Sequence, residues 1–157
     1  KGLVCSACDS LKVNYTIYNA IKAAQYDRLE KIKNSVWVAA MVVQVKRQKY
    51  FRWHDAGDVQ DLEHLKKIYS VCKLTPEVKH WMPTREAWIK NHLDSKPSNL
   101  VIRFSPPMIG QRNDSWPNSS MVVETGATCP APSQGGKCGS CRQCWDSNIK
   151  VVSYGKH

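Results

Sequence analysis

The stretch that decides the fold spans residues 50–73 and reads YFRWHDAGDVQDLEHLKKIYSVCK. Residues 50–54 are rich in aromatic side chains and predict a short strand, which ends at the turn-forming residues 55–58. A helix is predicted from about Val59 to Lys73, with apolar side chains on one face at Leu62, Leu65, Ile68 and Tyr69. The stretch therefore predicts a strand, a loop and a helix in that order.

The same pattern continues along the chain. Residues 78–82 predict a second strand, residues 83–86 a loop, and Ala87 to Leu93 a short helix. Further strands are predicted at residues 99–104, 120–124 and 149–154, and two helices precede the first strand at residues 15–33 and 36–49. Strands that alternate with helices indicate a mostly parallel sheet.

Length and composition limit the fold class. A chain of 157 residues with 42% hydrophobic residues can bury one core, so residues 1–157 are predicted to form a single domain. The chain is too short for an eight-fold barrel of roughly 250 residues. The sequence therefore predicts an α/β fold whose mostly parallel sheet, with flanking helices, forms a partial (β/α) barrel or an open sheet.

The charge points to anionic partners. The chain carries a net charge of +10, which attracts polyanions or a negatively charged cofactor, although a solvated basic face is an equally good interpretation. No helix-turn-helix, zinc-finger or RNA-binding aromatic motif is present, so nucleic acid is a secondary hypothesis. No apolar run reaches the roughly 18 residues of a membrane span, and the first residues lack a signal-peptide core, which predicts a soluble, intracellular protein.

Four cysteines share one loop that is rich in glycine and proline: Cys129, Cys138, Cys141 and Cys144. Three of them are spaced as Cys-x-x-Cys-x-x-Cys, which is typical of iron–sulfur ligation, whereas zinc sites usually combine two separated pairs. The spacing favours a [4Fe–4S] cluster, with zinc as the alternative and free thiols as the third interpretation. Lys137 and Arg142 would offset the negative charge of a ligated cluster.

A second Cys-x-x-Cys pair, Cys5 and Cys8, precedes the first predicted helix. These thiols can complete a centre shared with the C-terminal loop, or form a redox dithiol at a helix start. Cys72 lies in an apolar helix face and is interpreted as an ordinary buried cysteine. The candidate metal ligands are therefore Cys5, Cys8, Cys129, Cys138, Cys141 and Cys144.

Polar residues follow the predicted strands at the edge where α/β proteins place their sites. A histidine beside carboxylates can act as a general base or a metal ligand, and arginines can bind an anion. The alternative is a buried network that fixes the loops. The candidate pocket residues are Arg52, His54, Asp55, Asp58, Arg85, Glu86 and Arg103. His64, His80 and His92 are interpreted as structural or exposed, and the tryptophans as core or pocket walls and not as a platform on which bases stack.

Several short motifs occur together in this chain: Cys5-Ser-Ala-Cys8, RWHDAGD at 52–58, LTP at 74–76, WMPTRE at 81–86, and GGKCGSCRQCWD at 135–146. In this order they resemble, over nearly the whole chain, an uncharacterised phage family known as gene product 88. The resemblance implies a viral origin and a location in the cytoplasm of the infected host. It does not imply any particular activity. The chain also resembles, distantly, the radical S-adenosylmethionine enzymes, whose cluster is held by Cys-x-x-x-Cys-x-x-Cys. Lys1 stands where their first cysteine would be, which argues against radical chemistry.

Three hypotheses follow. The first is a [4Fe–4S] protein with a redox, electron-transfer or structural role. The second is a radical or metal-assisted enzyme that uses the pocket around His54 and Asp58. The third is a basic module that binds host nucleic acid or a host protein, with zinc as a structural element.

Overall fold

The computed structural model describes residues 17–156. Its centre is a five-stranded parallel sheet whose strands lie in the order of the sequence. The strands are β1 (Tyr50–Arg52), β2 (Lys79–Thr84), β3 (Leu100–Phe104), β4 (Ser119–Val123) and β5 (Val151–Gly155). The sheet curls into a half-barrel with flanking helices, which confirms the predicted α/β class and the partial barrel.

Three α-helices lie in the first half of the described chain: α1 (Asn19–Ile32), α2 (Trp37–Val45) and α3 (Leu62–Leu74). α3 connects β1 to β2 and begins where the Asp61 carboxylate accepts a hydrogen bond from the His64 backbone N–H at 2.8 Å. The remaining helices are 3-10 helices at Ala87–Ser95, Ala131–Gln134 and Gln143–Trp145. The first of these replaces the short helix predicted at 87–93 and connects β2 to β3.

The bounds of several predicted elements differ from the structure. The strand predicted at 50–54 ends at Arg52, and the helix predicted from about Val59 begins at Leu62. The helix predicted at 36–49 ends at Val45, because a turn follows in which the Gln48 N–H donates to the Val45 carbonyl at 2.8 Å. The last strand begins at Val151 and not at 149. The start of the first predicted helix, at residue 15, lies outside the described residues.

Different parts of the chain pack against the two faces of the sheet. One face packs its buried side chains, among them Met82, Ile102 and Phe104, against α2, α3 and the first 3-10 helix. Because side chains alternate along a strand, Trp81 and Val152 lie on the opposite face. That face is covered by residues 124–150, the connection between β4 and β5, which we call the cysteine loop.

No helix among residues 17–156 is long and apolar enough to cross a membrane.

Candidate metal centre and strand-end cluster

The four loop cysteines line one pocket. Its cavity volume is about 10 Å³, which is about the space of one water molecule. The other lining residues are Pro130, Gln143, Trp145 and Val152. Cys144 is buried, Cys129 and Cys141 are half-buried, Cys138 is exposed, and all four are free thiols. The structure thus brings together the four cysteines that the sequence singled out, whereas Cys5 and Cys8 lie outside the described residues.

Backbone turns bring these thiols to the pocket. The Cys129 N–H donates to the Ser153 carbonyl at 3.0 Å, which fixes the first cysteine beside β5. The 3-10 helix Ala131–Gln134 ends at Gly135, whose φ of 62° lies in the left-handed region that favours glycine. A further turn joins the Cys141 N–H to the Cys138 carbonyl at 3.0 Å. The glycines and the Cys-x-x-Cys spacing therefore shape the pocket wall locally.

Arg103 of β3 holds the far end of the cysteine loop. Its side chain is fully buried, and each of its three nitrogens donates to backbone carbonyls. The acceptors are Cys144 at 3.0 Å, Ile149 at 2.8 Å, Gln143 at 2.8 Å, Asp146 at 2.8 Å and Ser119 at 3.4 Å. The guanidinium thus seats residues 143–149 on the sheet and has no donor left for a ligand.

The charge of Arg103 lies next to the pocket. Burial lowers the pKa of Arg103, yet an arginine stays charged in proteins. No carboxylate within the described part of the chain forms an ion pair with it. Burial raises the pKa of Cys144, and its hydrogen bond with Tyr154, at 3.1 Å, and the charge of Arg103 oppose this rise only in part. A buried cation thus lies behind a thiol whose neutral form is favoured by burial.

The pocket does not form a finished coordination sphere. Among residues 17–156, no three His, Cys, Asp or Glu side chains lie close enough together to hold a metal ion. The chemistry of the donors nevertheless fits a soft metal, because four thiols are the ligands that zinc and iron–sulfur clusters prefer. Ligation would therefore require the thiols to turn toward a common centre.

The carboxyl ends of β1 and β2 form a second cluster. Asp58 accepts hydrogen bonds from the Thr84 hydroxyl and the Arg85 backbone N–H, both at 2.7 Å. Glu86 accepts from the Trp88 indole N–H at 2.8 Å. Asp55 lies 4.0 Å from Arg52 across an exposed ion pair. Asp58 thus joins the loops that follow β1 and β2, whereas Arg52 and Asp55 lie at the surface.

His54 stands out within this strand-end cluster. Its φ is +53°, which is uncommon for a residue other than glycine, and its Nε2 is buried without a hydrogen-bond partner among the described residues. The ring of His64 lies 5.6 Å away, edge to face. Burial lowers the pKa of His54 and lowers the pKa of His64 to about 4. Both imidazoles are therefore neutral near pH 7.

Two further residues differ from the sequence-based grouping. His64 joins the strand-end cluster because α3 begins beside the loop that carries His54, and no motif in the sequence signals this contact. Arg103 lies apart from that cluster, on the face of the sheet that the cysteine loop covers. Cys72 is buried in the helix-covered core, as predicted.

The comparisons with known proteins place the chain in a family. No curated protein and no solved structure matches it. A family model described as gene product 88 matches residues 1–115, which include Cys5, Cys8 and the whole strand-end cluster but end before the cysteine loop. The match is narrower than the resemblance over nearly the whole chain that the motifs indicated, and it shows no likeness to radical S-adenosylmethionine enzymes. Since it covers more than half of the sequence, the chain belongs to the gene product 88 family of phage proteins.

Proposed function

We propose that this protein binds a [4Fe–4S] cluster through Cys129, Cys138, Cys141 and Cys144 and that the cluster serves a redox, electron-transfer or structural role. The observation that carries the proposal is the convergence of four free thiols on one pocket, behind which the buried Arg103 donates to the Cys144 carbonyl. When bound, such a cluster supplies one-electron transfer or a covalent brace for the loop.

Charge balance supports an anionic occupant. A centre ligated by four thiolates carries net negative charge, and a buried cation without a carboxylate partner is costly unless negative charge lies close to it. Arg103 lies beneath Cys144, and Arg142 stands between Cys141 and Cys144 with its guanidinium donating to the Gly139 carbonyl at 2.7 Å. Both cations would offset the charge of the ligated thiolates.

Cysteine spacing favours the cluster over zinc. Cys138, Cys141 and Cys144 form a Cys-x-x-Cys-x-x-Cys run, and Cys129 supplies a fourth thiol from the start of the loop. Four cysteine ligands leave no iron open to a substrate, which favours electron transfer or structure over catalysis at the cluster. We expect the protein to act in the cytoplasm of the infected host, where a reducing environment keeps such thiols available.

The direct test is anaerobic purification of the full chain followed by iron and sulfide analysis. We expect a brown protein with absorbance near 400 nm and about four irons and four sulfides per chain. A Cys141→Ser or Cys144→Ser variant should lose most of this absorbance. Cys72→Ala is the matched control, because Cys72 is a free thiol buried away from the pocket, and it should keep the cluster.

The outcomes separate the alternatives. A colourless protein with stoichiometric zinc that is lost in Cys144→Ser would replace the cluster with a structural zinc site. A protein that binds neither iron nor zinc after anaerobic reconstitution would contradict the proposal. A Cys5→Ser/Cys8→Ser double variant decides the ligand set, because full retention of iron would remove both residues from it.

A further inference from the structure

A wide groove lies at the edge of the sheet where the strands begin, opposite the strand-end cluster. It has a volume of about 850 Å³ and runs between the starts of β1, β2 and β3 and the last part of the cysteine loop. Its lining includes Tyr50, Lys79, Ser98, Arg142, Trp145 and Asn148. The volume falls within the range of about 300–1,000 Å³ that is usual for ligand sites. Most of the candidate pocket residues lie at the opposite edge of the sheet.

Two aromatic rings, Tyr50 and Trp145, line this groove together with Arg142, and Lys49 stands beside them. The Arg142 guanidinium lies 4.8 Å from the centre of the Tyr50 ring, and the Lys49 ammonium lies 5.9 Å from the same ring. The Trp145 ring packs edge to face on Tyr50 at 5.6 Å. The Trp145 indole N–H donates to the Phe51 carbonyl at 3.0 Å, which holds the ring in place. The two rings are thus half-buried, fixed and flanked by positive charge.

The charged side chains that line the groove are balanced in sign, and Lys49 beside Tyr50 adds one further cation. Lys79 is exposed at the start of β2, and Lys49 and Arg142 stand beside Tyr50. Against them stand Glu77 and Asp146. The Asp146 carboxylate accepts a hydrogen bond from the Asn148 N–H at 2.9 Å, and the Arg142 guanidinium donates to the Gly139 and Cys141 carbonyls at 2.7 and 2.6 Å. The whole chain carries a charge of +10, which attracts polyanions to the protein.

We propose that this groove binds single-stranded nucleic acid without base specificity, with Tyr50 and Trp145 contacting bases and Lys49, Lys79 and Arg142 contacting phosphates. Proteins that bind single strands in this way combine a positively charged groove with aromatic side chains, because every base has a face that can stack. Ser98 and Asn148 offer hydrogen bonds to sugars or base edges. The proposal does not depend on the metal centre, although Gln143 and Trp145 line both the groove and the cysteine pocket.

The test is fluorescence anisotropy of a labelled oligothymidylate titrated with the full chain at low salt. We expect binding that weakens as salt rises, and a Lys79→Glu variant that binds at least about tenfold more weakly with a shallower salt slope. Lys90→Glu is the matched control, because Lys90 is exposed on the first 3-10 helix and its replacement changes the net charge by the same amount. The Lys90→Glu variant should bind less than threefold more weakly than the parent protein.

A second pair of variants tests the aromatic contact. Tyr50→Ala should weaken binding by roughly 5-fold to 100-fold, the usual effect of losing a stacked base, whereas Tyr26→Ala on the exposed side of α1 should have no effect. Equal losses in Lys79→Glu and Lys90→Glu would overturn the proposal in favour of diffuse attraction. Absence of binding at low salt, or preference for duplex over single strands, would also overturn it.

Discussion

At the scale of single residues, Arg103 has a different role in the structure from the one that its position in the sequence indicates. It follows three apolar residues of β3 near the end of the strand, which made it a candidate for anion binding. The structure instead directs its guanidinium to backbone carbonyls of the cysteine loop and to Ser119. The alternation of side chains along a strand decides between these roles, since a shift of one position changes the face.

Replacing Arg103 by lysine should destabilise the protein by about 3 kcal/mol, because an ammonium keeps the charge but cannot reach carbonyls spread over residues 143–149. The measurement is the free energy of unfolding in urea. Arg112→Lys is the control, since Arg112 is exposed and pairs with Asp114 on the surface, and it should change stability by less than about 0.5 kcal/mol. Equal effects of the two substitutions would show that the carbonyl network contributes little.

At the scale of elements, the strands and α3 follow from local patterns in the sequence. The aromatic run at 50–54 and the apolar spacing at Leu65 and Ile68 specify a strand and a helix. The conformation of the loop between them does not follow from local sequence patterns. The backbone of His54 has a positive φ, and Asp58 then reaches across to the loop after β2. Such a contact joins residues 26 positions apart, so it depends on the pairing of two strands and not on local preference.

Asp58→Asn should therefore weaken the junction of β1 and β2 and lower the free energy of unfolding by about 1–3 kcal/mol. The amide keeps only one acceptor oxygen, whereas the carboxylate accepts from the Thr84 hydroxyl, the Val59 N–H and the Arg85 N–H. Hydrogen exchange of the Arg85 amide should speed up by about tenfold or more, and the urea midpoint should fall. Asp94→Asn, an exposed carboxylate on the first 3-10 helix, should leave both values unchanged. An unaltered Arg85 amide in Asp58→Asn would contradict the role.

At the scale of the whole molecule, three histidines set the response to acid. Burial lowers the pKa of His64 and of His80 to about 4, and it also lowers the pKa of His54. The unfolded chain binds these protons below about pH 6.5, whereas the folded chain does not until pH falls much further. Stability is thus fully present above pH 6.5 and is lost as pH falls from 6.5 toward 4.

We expect the free energy of unfolding in urea to fall by a few kcal/mol between pH 7.5 and pH 4.5. A His64→Gln variant should show a smaller fall over the same range, because one buried imidazole no longer titrates. Asn91→Gln, an exposed residue of the first 3-10 helix that does not titrate, is the control and should keep the full pH dependence of the parent. A flat pH profile of the parent protein would contradict this account.

The sequence by itself determined the parallel α/β class, the order of most elements and the four loop cysteines that share a pocket, because strand and helix periodicity and close cysteine spacing are local properties of the chain. Only the tertiary structure decided that Arg103 holds the cysteine loop, that His64 faces His54, and that Tyr50 and Trp145 meet at the groove. Each of these contacts joins residues from different elements. Their geometry depends on strand register and on which face of the sheet each loop covers, and neither is written in any single segment.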